Sequence, residues 1–201
     1  MTAMNFDNPP ADPVAQVAAW LDEAAGTPVI NPHAMTLATV DPDGNPSART
    51  VLLKGFDQRG AVFYTNRNSR KGRALAAHAR AALLLHWDSL MRQVCIEGGV
   101  TQVDDAEADA YFTTRPRGAQ LGAWVSQQSE PVESRAVLEA EIETMTRRFE
   151  GGPVPRPPHW SGYRVALESI ELWQGRTNRL HDRIVYTRDA NGVWLAQRLS
   201  P

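Results

Sequence analysis

The spacing of apolar residues near the start of the chain predicts an amphipathic helix. Four apolar residues between positions 14 and 21 recur at three- and four-residue intervals, which places them on one face of a helix. Asp12 is suited to cap this helix, Pro13 to begin it, and Gly26 to follow its end. The preceding residues, 1–11, are polar and contain two prolines. We therefore expect a flexible segment over 1–11 and a helix directly after it.

From residue 34 onward, short aliphatic and β-branched runs alternate with turn signals, which predicts strands. One dense turn occupies Asp41–Pro46, and Asn191-Gly192 is typical of a hairpin. The predicted strands cover 34–40, 47–54, 61–65, 81–87, 91–103, 163–167, 169–173, 183–188 and 193–199. Most of them neighbour one another in sequence, which favours antiparallel pairing and a barrel.

Helices interrupt these strands at four places. We predict helices over 69–78, with Ser69 as N-cap, and over 105–114, opened by a capping box of Asp104 and Glu107. Two more are predicted over 118–126 and 131–149. The fold class is thus mainly β with peripheral helices, and residues 12–201 form a single domain.

Composition and charge exclude several functional classes. With 21 Lys and Arg against 23 Asp and Glu, the net charge is -2, which disfavours nucleic-acid binding. No apolar run is long enough to cross a membrane and no secretion signal is visible, so we expect a cytoplasmic protein. The five histidines stand singly and there is one cysteine, so we expect no metal site. Nucleotide-binding Gly-rich motifs are also absent from the sequence.

Two predicted helices begin with cations, against the preference of the helix dipole for negative charge at that end. Arg70 and Lys71 occupy the first turn of one, and Arg115-Pro116-Arg117 precedes the other. A bound anion would reverse this cost, since backbone amides and cations would then contact the same phosphate. The pattern predicts two anionic sites; the alternative is a solvated basic surface.

A third concentration of cation-capable residues is Arg179, His181 and Arg183. If the segment is extended, all three side chains point the same way, because alternate residues of a strand share a face. This arrangement indicates a pocket for an electron-rich ligand. The alternative is an edge strand that carries charges to prevent aggregation.

Ten short motifs, in order along the chain, carry a family resemblance. They cover 49–54, 63–66, 69–71, 92–94, 111–117, 122–126, 128–129, 173–175, 179–183 and 198–201. Together they resemble the pyridoxamine 5'-phosphate oxidase family, the FMN enzymes that make pyridoxal 5'-phosphate. The resemblance extends from about residue 10 to residue 201, nearly the whole chain.

The resemblance implies an antiparallel split β-barrel and a homodimer that binds FMN at the subunit interface. The implied FMN contacts are Arg49, Thr50, Val51, Leu52, Leu53, Lys54, Tyr64, Thr65, Ser69, Arg70, Lys71, Gln93, Gln128, Ser129, Trp173 and Arg183. The implied substrate contacts are Lys54, Tyr111, Arg115, Arg179 and His181, with Arg179 and His181 as the catalytic pair.

The implied reaction oxidises pyridoxamine 5'-phosphate or pyridoxine 5'-phosphate to the aldehyde, pyridoxal 5'-phosphate, in vitamin B6 biosynthesis and salvage. O2 is the final electron acceptor, hydrogen peroxide is released, and the amine substrate also yields ammonia. Three alternatives stay open: a phenazine-biosynthesis oxidase, a non-catalytic flavin-binding protein, and an interaction protein without a cofactor.

The sequence departs from the family pattern at two places. The family usually has a serine two residues after Arg115-Pro116-Arg117, where it contacts the substrate phosphate, and this chain has Ala119. The family also commonly has an N-terminal arginine and tyrosine over the substrate, and residues 1–10 contain neither. Both departures concern substrate affinity more than FMN binding.

Overall fold

Helix α1 (Pro13–Ala25) forms where the apolar spacing predicts it. The Asp12 carboxylate accepts a hydrogen bond from the backbone N–H of Val14 at 2.9 Å, and Gly26 follows the last residue of the helix. The structure, a computed structural model, describes residues 4–201. The first three residues of the segment expected to be flexible lie outside the described residues.

The described residues contain five α-helices and ten strands. The other helices are α2 (Arg70–Ala77), α3 (Asp105–Thr113), α4 (Arg117–Val125) and α5 (Arg135–Arg148). The strands are β1 (Ala34–Val40), β2 (Pro46–Leu52), β3 (Gly55–Asp57), β4 (Gly60–Asn66), β5 (Arg80–Trp87), β6 (Arg92–Gln102), β7 (Trp160–Val165), β8 (Ser169–Gln174), β9 (Asp182–Arg188) and β10 (Trp194–Leu199).

All strand pairs are antiparallel, and β6 joins the two parts of the sheet. Seven strands lie in the order β10-β9-β8-β6-β5-β1-β2, while β3 and β4 continue from β7. The first part of β6 pairs with β8 and its last three residues pair with β7. Between these parts lies Gly98, where a Cβ atom would come within 2.0 Å of the Ala166 carbonyl oxygen. Glycine therefore permits the close approach at which the sheet curls into a split barrel.

One side of the seven-stranded sheet is packed and the other is open. Leu37, Leu83, Ile96 and Ile170 point inward and are fully buried, and Trp20 of α1 packs against the same core. The alternate residues point away from this core and are exposed or half-buried. We call this side, on β2, β1, β5, β6, β8, β9 and β10, the outer face. The mainly β, antiparallel fold predicted from the sequence is confirmed.

Three local predictions need correction. Helix α5 begins at Arg135, four residues later than predicted, because the Ser134 hydroxyl caps it by accepting from Val137 N. Glu107 does not complete the capping box, since its carboxylate binds Arg164 at 2.7 Å. Strand β3 was not predicted, because its three residues are too few to show an alternating pattern.

Residues 6–10, which precede α1, are anchored to the barrel, in contrast to the flexible segment expected over 1–11. Phe6 is buried with 6% exposure in the main core. The Tyr186 hydroxyl donates a hydrogen bond to the Pro10 carbonyl oxygen at 3.0 Å, and Asp7 forms an ion pair with Arg198. A buried aromatic side chain thus fixes residues that composition alone assigns to a loop.

None of the helices within residues 4–201 has the length and apolar character needed to span a membrane. Within the same residues, His, Cys, Asp and Glu side chains form no group of three that is suited to hold a metal ion.

Candidate functional site

A cleft of about 530 Å³ lies between β2, β4, the start of α2 and the α3–α4 junction. Ten residues predicted from the sequence line it: Thr50, Val51, Leu52, Lys54, Tyr64, Thr65, Lys71, Tyr111, Arg115 and Gln128. Thr114, Pro116 and Trp160 complete the lining. Trp160 gave no sequence signal, because a tryptophan after a proline-rich segment is equally typical of a core.

Lys71 lies in the cleft among neutral oxygen atoms. Its Nζ donates to Gln128 Oε1 at 2.7 Å and to the hydroxyls of Thr65 and Ser69 at 3.3 Å. Burial, with a smaller effect of the Arg49 charge, lowers the pKa of Lys71 to about 8. A desolvated ammonium group without a carboxylate partner is suited to bind an anion.

Ser69 and Gly72 explain why Lys71 is placed there. The Ser69 side chain is buried and caps α2 by accepting from Gly72 N at 3.3 Å, while it donates to the Asn66 carbonyl at 2.7 Å. A Cβ atom on Gly72 would lie 2.1 Å from the Arg67 carbonyl oxygen. The loop can therefore pass close to the first turn of α2, which fixes the position of Lys71 against β4.

Two further predicted cations lie beside Lys71 without lining the cleft. The Arg49 guanidinium donates to the Leu37 carbonyl at 3.0 Å and to the Thr39 hydroxyl at 2.8 Å. Burial lowers the pKa of Arg49, and the charge of Arg70 lowers it further. Arg70 is exposed, and its side chain donates no hydrogen bond to any residue within 4–201. Arg49, Arg70 and Lys71 thus form a cationic group at the start of α2.

The second predicted anion site is at the α3–α4 junction. Arg115 lies over the Trp160 ring at 4.8 Å and over the Phe112 ring at 5.4 Å. Its Nη1 atom is buried and has no hydrogen-bond partner within residues 4–201. Burial also lowers the pKa of Arg115. Because a buried unpaired donor is costly, this atom points to a ligand that accepts a hydrogen bond.

Aromatic rings form one wall of the cleft. Tyr64 stacks on Tyr111 with ring centroids 4.0 Å apart and on Trp160 at 5.2 Å. Burial raises the pKa of the Tyr64 hydroxyl. The wall is flat and apolar next to the cations, a combination suited to a planar ring that carries a phosphate.

Three predicted residues lie next to the cleft rather than in its lining. Leu53 is buried in the core, and its N–H donates to the His33 carbonyl at 2.9 Å. Ser69 is occupied as the α2 cap. Ser129 follows Gln128 and has a φ of 78°, a conformation that serine rarely adopts.

Gln93, Trp173 and Arg183 form a row across the outer face. Gln93 pairs with Trp173 between β6 and β8, and Trp173 pairs with Arg183 between β8 and β9. Arg183 donates to the Glu171 carboxylate at 2.8 and 3.1 Å. These three predicted FMN contacts are thus neighbours, but they are separated from the cleft. Strand β2 is three positions from β6 and five from β9, or about 14 and 24 Å along the sheet.

The condition for Arg179, His181 and Arg183 to share one face is not met, because residues 179–183 are not extended throughout. Residues 177–179 form a 3-10 turn, and strand β9 begins only at Asp182. Asn178 and Arg179 have φ values of 56° and 61°. Arg179 is therefore exposed on a loop, while His181 lies against Trp173, with ring centroids 4.7 Å apart.

Family models match both parts of the chain. Residues 21–149 match the model described as pyridoxamine 5'-phosphate oxidase. Residues 160–201 match the pyridoxine 5'-phosphate oxidase C-terminal dimerisation region.

Curated relatives are similar over nearly the full length. The pyridoxine/pyridoxamine 5'-phosphate oxidase of Rubrobacter xylanophilus is 57% identical over 195 residues, 97% of this chain and 89% of that protein. The protein of the same description from Azorhizobium caulinodans is 56% identical over 191 residues, 94% of this chain and 90% of that protein.

Solved structures share the fold. PhzG from Burkholderia lata, solved with tetrahydrophenazine-1-carboxylic acid, is 32% identical with a TM-score of 0.93 and covers 100% of this chain and 98% of its own. An FMN-binding protein from Nostoc punctiforme related to pyridoxamine 5'-phosphate oxidase has a TM-score of 0.76 at 18% identity, over 93% of this chain and 96% of its own, and supports the fold alone. On the family models and the curated relatives, the chain belongs to the pyridoxamine 5'-phosphate oxidase family.

Proposed function

We propose that the chain oxidises pyridoxamine 5'-phosphate and pyridoxine 5'-phosphate to pyridoxal 5'-phosphate, with FMN as cofactor. For the amine, substrate, O2 and water yield aldehyde, ammonia and hydrogen peroxide. The observation that carries this proposal is the unpaired Nη1 of Arg115, buried beside an aromatic wall and separate from the cations of α2. One cleft thus contains two groups of phosphate-binding side chains, which fits a phosphorylated cofactor and a phosphorylated substrate.

The residues of the cleft fit FMN. Arg70 and Lys71 would bind its phosphate at the start of α2, where the backbone amides of the helix are further donors. Arg49, which lies beside Lys71, would add a third positive charge. The strand from Thr50 to Lys54 and the Gln128 side chain would contact its ring. When bound, the flavin supplies the two-electron acceptor that amino-acid side chains lack.

The protein's own contribution would be binding and orientation. Arg115 would donate to the substrate phosphate while Tyr111 contributes the stacked ring beside it. Lys54, whose Nζ has no hydrogen-bond partner within residues 4–201, would add a second cation. Arg179 would hold the pyridine ring by its planar donor group, and His181, the one histidine within the ten sequence motifs, would move a proton.

The separation between the cleft and the row on the outer face favours a homodimer. The outer face exposes Leu52 at 41% and Leu195 at 55%, and the matched dimerisation region contains β8, β9 and β10. In a two-fold dimer the same face of each subunit meets its copy. We infer a packing of two outer faces in which the β8–β9 end of one subunit meets the cleft of its partner. Arg179 and His181 would then act on substrate held mainly by the other subunit.

The first experiment measures cofactor and product. Purified protein, or apoprotein titrated with FMN, should show flavin absorbance and should release peroxide with both phosphorylated substrates. Unphosphorylated pyridoxamine is the matched control and should react far more slowly, because it lacks the group that Arg115 binds. A colourless protein that cannot be reconstituted would contradict the proposal.

The second experiment separates a catalyst from a flavin carrier. Arg179→Met keeps the aliphatic part of the side chain, and His181→Asn keeps some hydrogen-bonding capacity. Both variants should retain FMN, while kcat/KM falls at least about tenfold, or about 1.4 kcal/mol of transition-state stabilisation. Near-normal anaerobic flavin reduction in both variants would remove these residues from the site.

A phenazine-type oxidation is the second candidate, favoured by the similarity to PhzG across the whole chain. A phenazine carboxylic acid carries a carboxylate and no phosphate. Peroxide release with a reduced phenazine carboxylic acid, unaffected by Arg115→Met, would support this candidate over the first.

A further inference from the structure

The β8–β9 loop, residues 175–181, is closed at its base by two contacts that the proposed function does not use. The backbone N–H of Arg176 donates to His181 Nδ1 at 3.1 Å. The Arg176 side chain donates from Nε to Asp182 Oδ2 at 2.7 Å. Residue 176 is therefore fixed to residues 181 and 182 by its backbone and its side chain together.

Asp182 is the centre of this arrangement. Its second oxygen, Oδ1, accepts from Arg198 Nη2, and Arg198 Nη1 binds Asp7 Oδ1 at 2.6 Å. The Asp182 side chain is only 14% exposed, whereas that of Asp7 is 90% exposed. Since ion pairs shielded from water are screened less, we expect the Asp182 contacts to be stronger than the Asp7 contact.

The closed base supports an unfavourable backbone at the tip of the loop. Asn178 and Arg179 both have left-handed φ values, 56° and 61°. Asparagine adopts this conformation more readily than other residues with a Cβ atom, whereas an arginine there is unfavourable and needs support from surrounding contacts. One hydrogen bond inside the loop, from Leu180 N to the Thr177 carbonyl at 3.2 Å, does not fix both ends. The contacts of Arg176 with His181 and Asp182 do so.

The contact at Nδ1 also determines the tautomer of His181. A backbone N–H is always a donor, so Nδ1 must be the acceptor, and the proton of the neutral ring lies on Nε2. Trp173 against one side of the ring limits its rotation. Nε2 is then the nitrogen available to donate to a ligand.

We propose that Asp182 is a positioning residue: through Arg176 it holds His181 with its proton on Nε2 and presents Arg179 at the loop tip. This rests on the proposed function in one respect, that Arg179 and His181 contact the substrate. Asp182 itself is not among the residues proposed to contact substrate or cofactor.

Asp182→Asn tests this in the FMN-loaded full-length protein, because it keeps the shape of the side chain and removes its charge. We expect unchanged FMN content and about a tenfold slower anaerobic flavin reduction with pyridoxamine 5'-phosphate. Asp182→Glu should recover part of the rate. Asp7→Asn is the matched control, since it removes the other partner of Arg198 and should stay within about twofold of the parent.

A spectroscopic measurement distinguishes positioning from loss of stability. Long-range ¹H–¹⁵N spectra of the histidine rings should show His181 protonated at Nε2 in the parent protein, with the signal assigned by its absence in His181→Asn. In Asp182→Asn this signal should move toward a mixture of tautomers. Arg176→Gln keeps the backbone N–H, removes the ion pair and should give the same change. This variant replaces Asp182→Asn in the test if Asp182→Asn fails to fold.

Three results would overturn the proposal. They are a normal reduction rate with an unchanged His181 signal in Asp182→Asn, a slow rate with an unchanged signal, and an equal loss in Asp7→Asn. Arg179→Met and His181→Asn, measured in parallel, keep the two proposals apart. If these direct variants reduce flavin normally, the proposed function fails; if they are slow and Asp182→Asn is normal, only the positioning role fails.

Discussion

The cations of the cleft and those around the β8–β9 loop differ in what compensates their charge. In the cleft, Lys54 and Arg115 have side chains without hydrogen-bond partners in residues 4–201, and Lys71 contacts only neutral oxygens. Around the loop, Arg176 and Arg198 each form an ion pair with Asp182. The first group lacks counter-charges that a ligand would supply. The second group surrounds the loop whose tip carries Arg179, and the Arg179 side chain has no ion-pair partner in the described part of the chain.

The cleft and the outer-face row also differ in what surrounds them. The cleft has walls from β2, β4, α2 and the α3–α4 junction, all of one chain. The row of Gln93, Trp173 and Arg183 lies on the outer face, whose side chains are exposed or half-buried within residues 4–201. A second subunit packed on that face would cover this row, and mixed dimers test the arrangement.

The largest expected effect is complementation between two inactive variants. Arg115→Met disables the cleft and Arg179→Met disables the loop, so each homodimer should lose most of its activity. If each site uses the cleft of one subunit and the loop of the other, a mixed dimer contains one intact site. Co-expression at equal levels should then restore about a quarter of the parent activity, because half of the dimers are mixed. Activity equal to the average of the two homodimers would place both groups in the same subunit's site.

The next effect is on FMN affinity at the start of α2. Arg70→Ala or Lys71→Ala removes one charge-assisted contact, worth about 1.5–3 kcal/mol, so Kd should rise roughly 10- to 150-fold. Arg73→Ala is the matched control on the same helix, since Arg73 is already paired with Glu130 at 2.8 Å. Titration of apoprotein with FMN measures all three. Unchanged Kd values in both Arg70→Ala and Lys71→Ala would contradict phosphate binding at the start of α2 and favour the alternative, a solvated basic surface.

A pH effect on FMN affinity should follow from the lowered pKa of Lys71, about 8 in the free protein. Below that pH the ammonium cation is present, and above it the free protein loses the proton that phosphate binding favours. The Kd for FMN should therefore be nearly flat between about pH 7 and pH 8 and rise above pH 8, by at most about tenfold per pH unit. Over this range the phosphate is mainly a dianion, because its second pKa is about 6. Lys71→Arg should remove the dependence, and a rise that persists in this variant would assign it to another group.

Local sequence rules predicted the elements of the fold where short-range chemistry decides, whereas most residues of the cleft were named by the family resemblance. Asp12, Ser69 and Asp104 cap helices as predicted because an N-cap depends on a few adjacent residues. The cations at the start of α2 were predictable because their cost at that position is local. Trp160 was not, because its place in the aromatic wall depends on packing between distant elements.

The turn in the β8–β9 loop could not be predicted by such local rules. Alternation of Arg179, His181 and Arg183 favours a strand, yet the contacts of Arg176 and Asp182 close a turn there. Those partners belong to the loop base and to Arg198 near the end of the chain, so no window of neighbouring residues contains them all. Likewise, Phe6 is buried in the main core, and the nearby Asp7 and Pro10 are bound by Arg198 and Tyr186, which follow them by more than a hundred residues.

The smallest expected effect concerns Ala119, which is half-buried in the first turn of α4, two residues after Arg117. Its N–H donates to the carbonyl of Pro116, a residue of the cleft lining, at 2.8 Å. Ala119→Ser would add one hydroxyl at the position where the family usually has serine. A hydrogen bond to the substrate phosphate is worth about 0.5–1.5 kcal/mol, or about two- to twelvefold in affinity. The gain should appear as a lower KM with little change in kcat, because the phosphate is remote from the reacting carbon. A lower kcat at unchanged KM would show that the hydroxyl does not contact the phosphate and instead disturbs the start of α4.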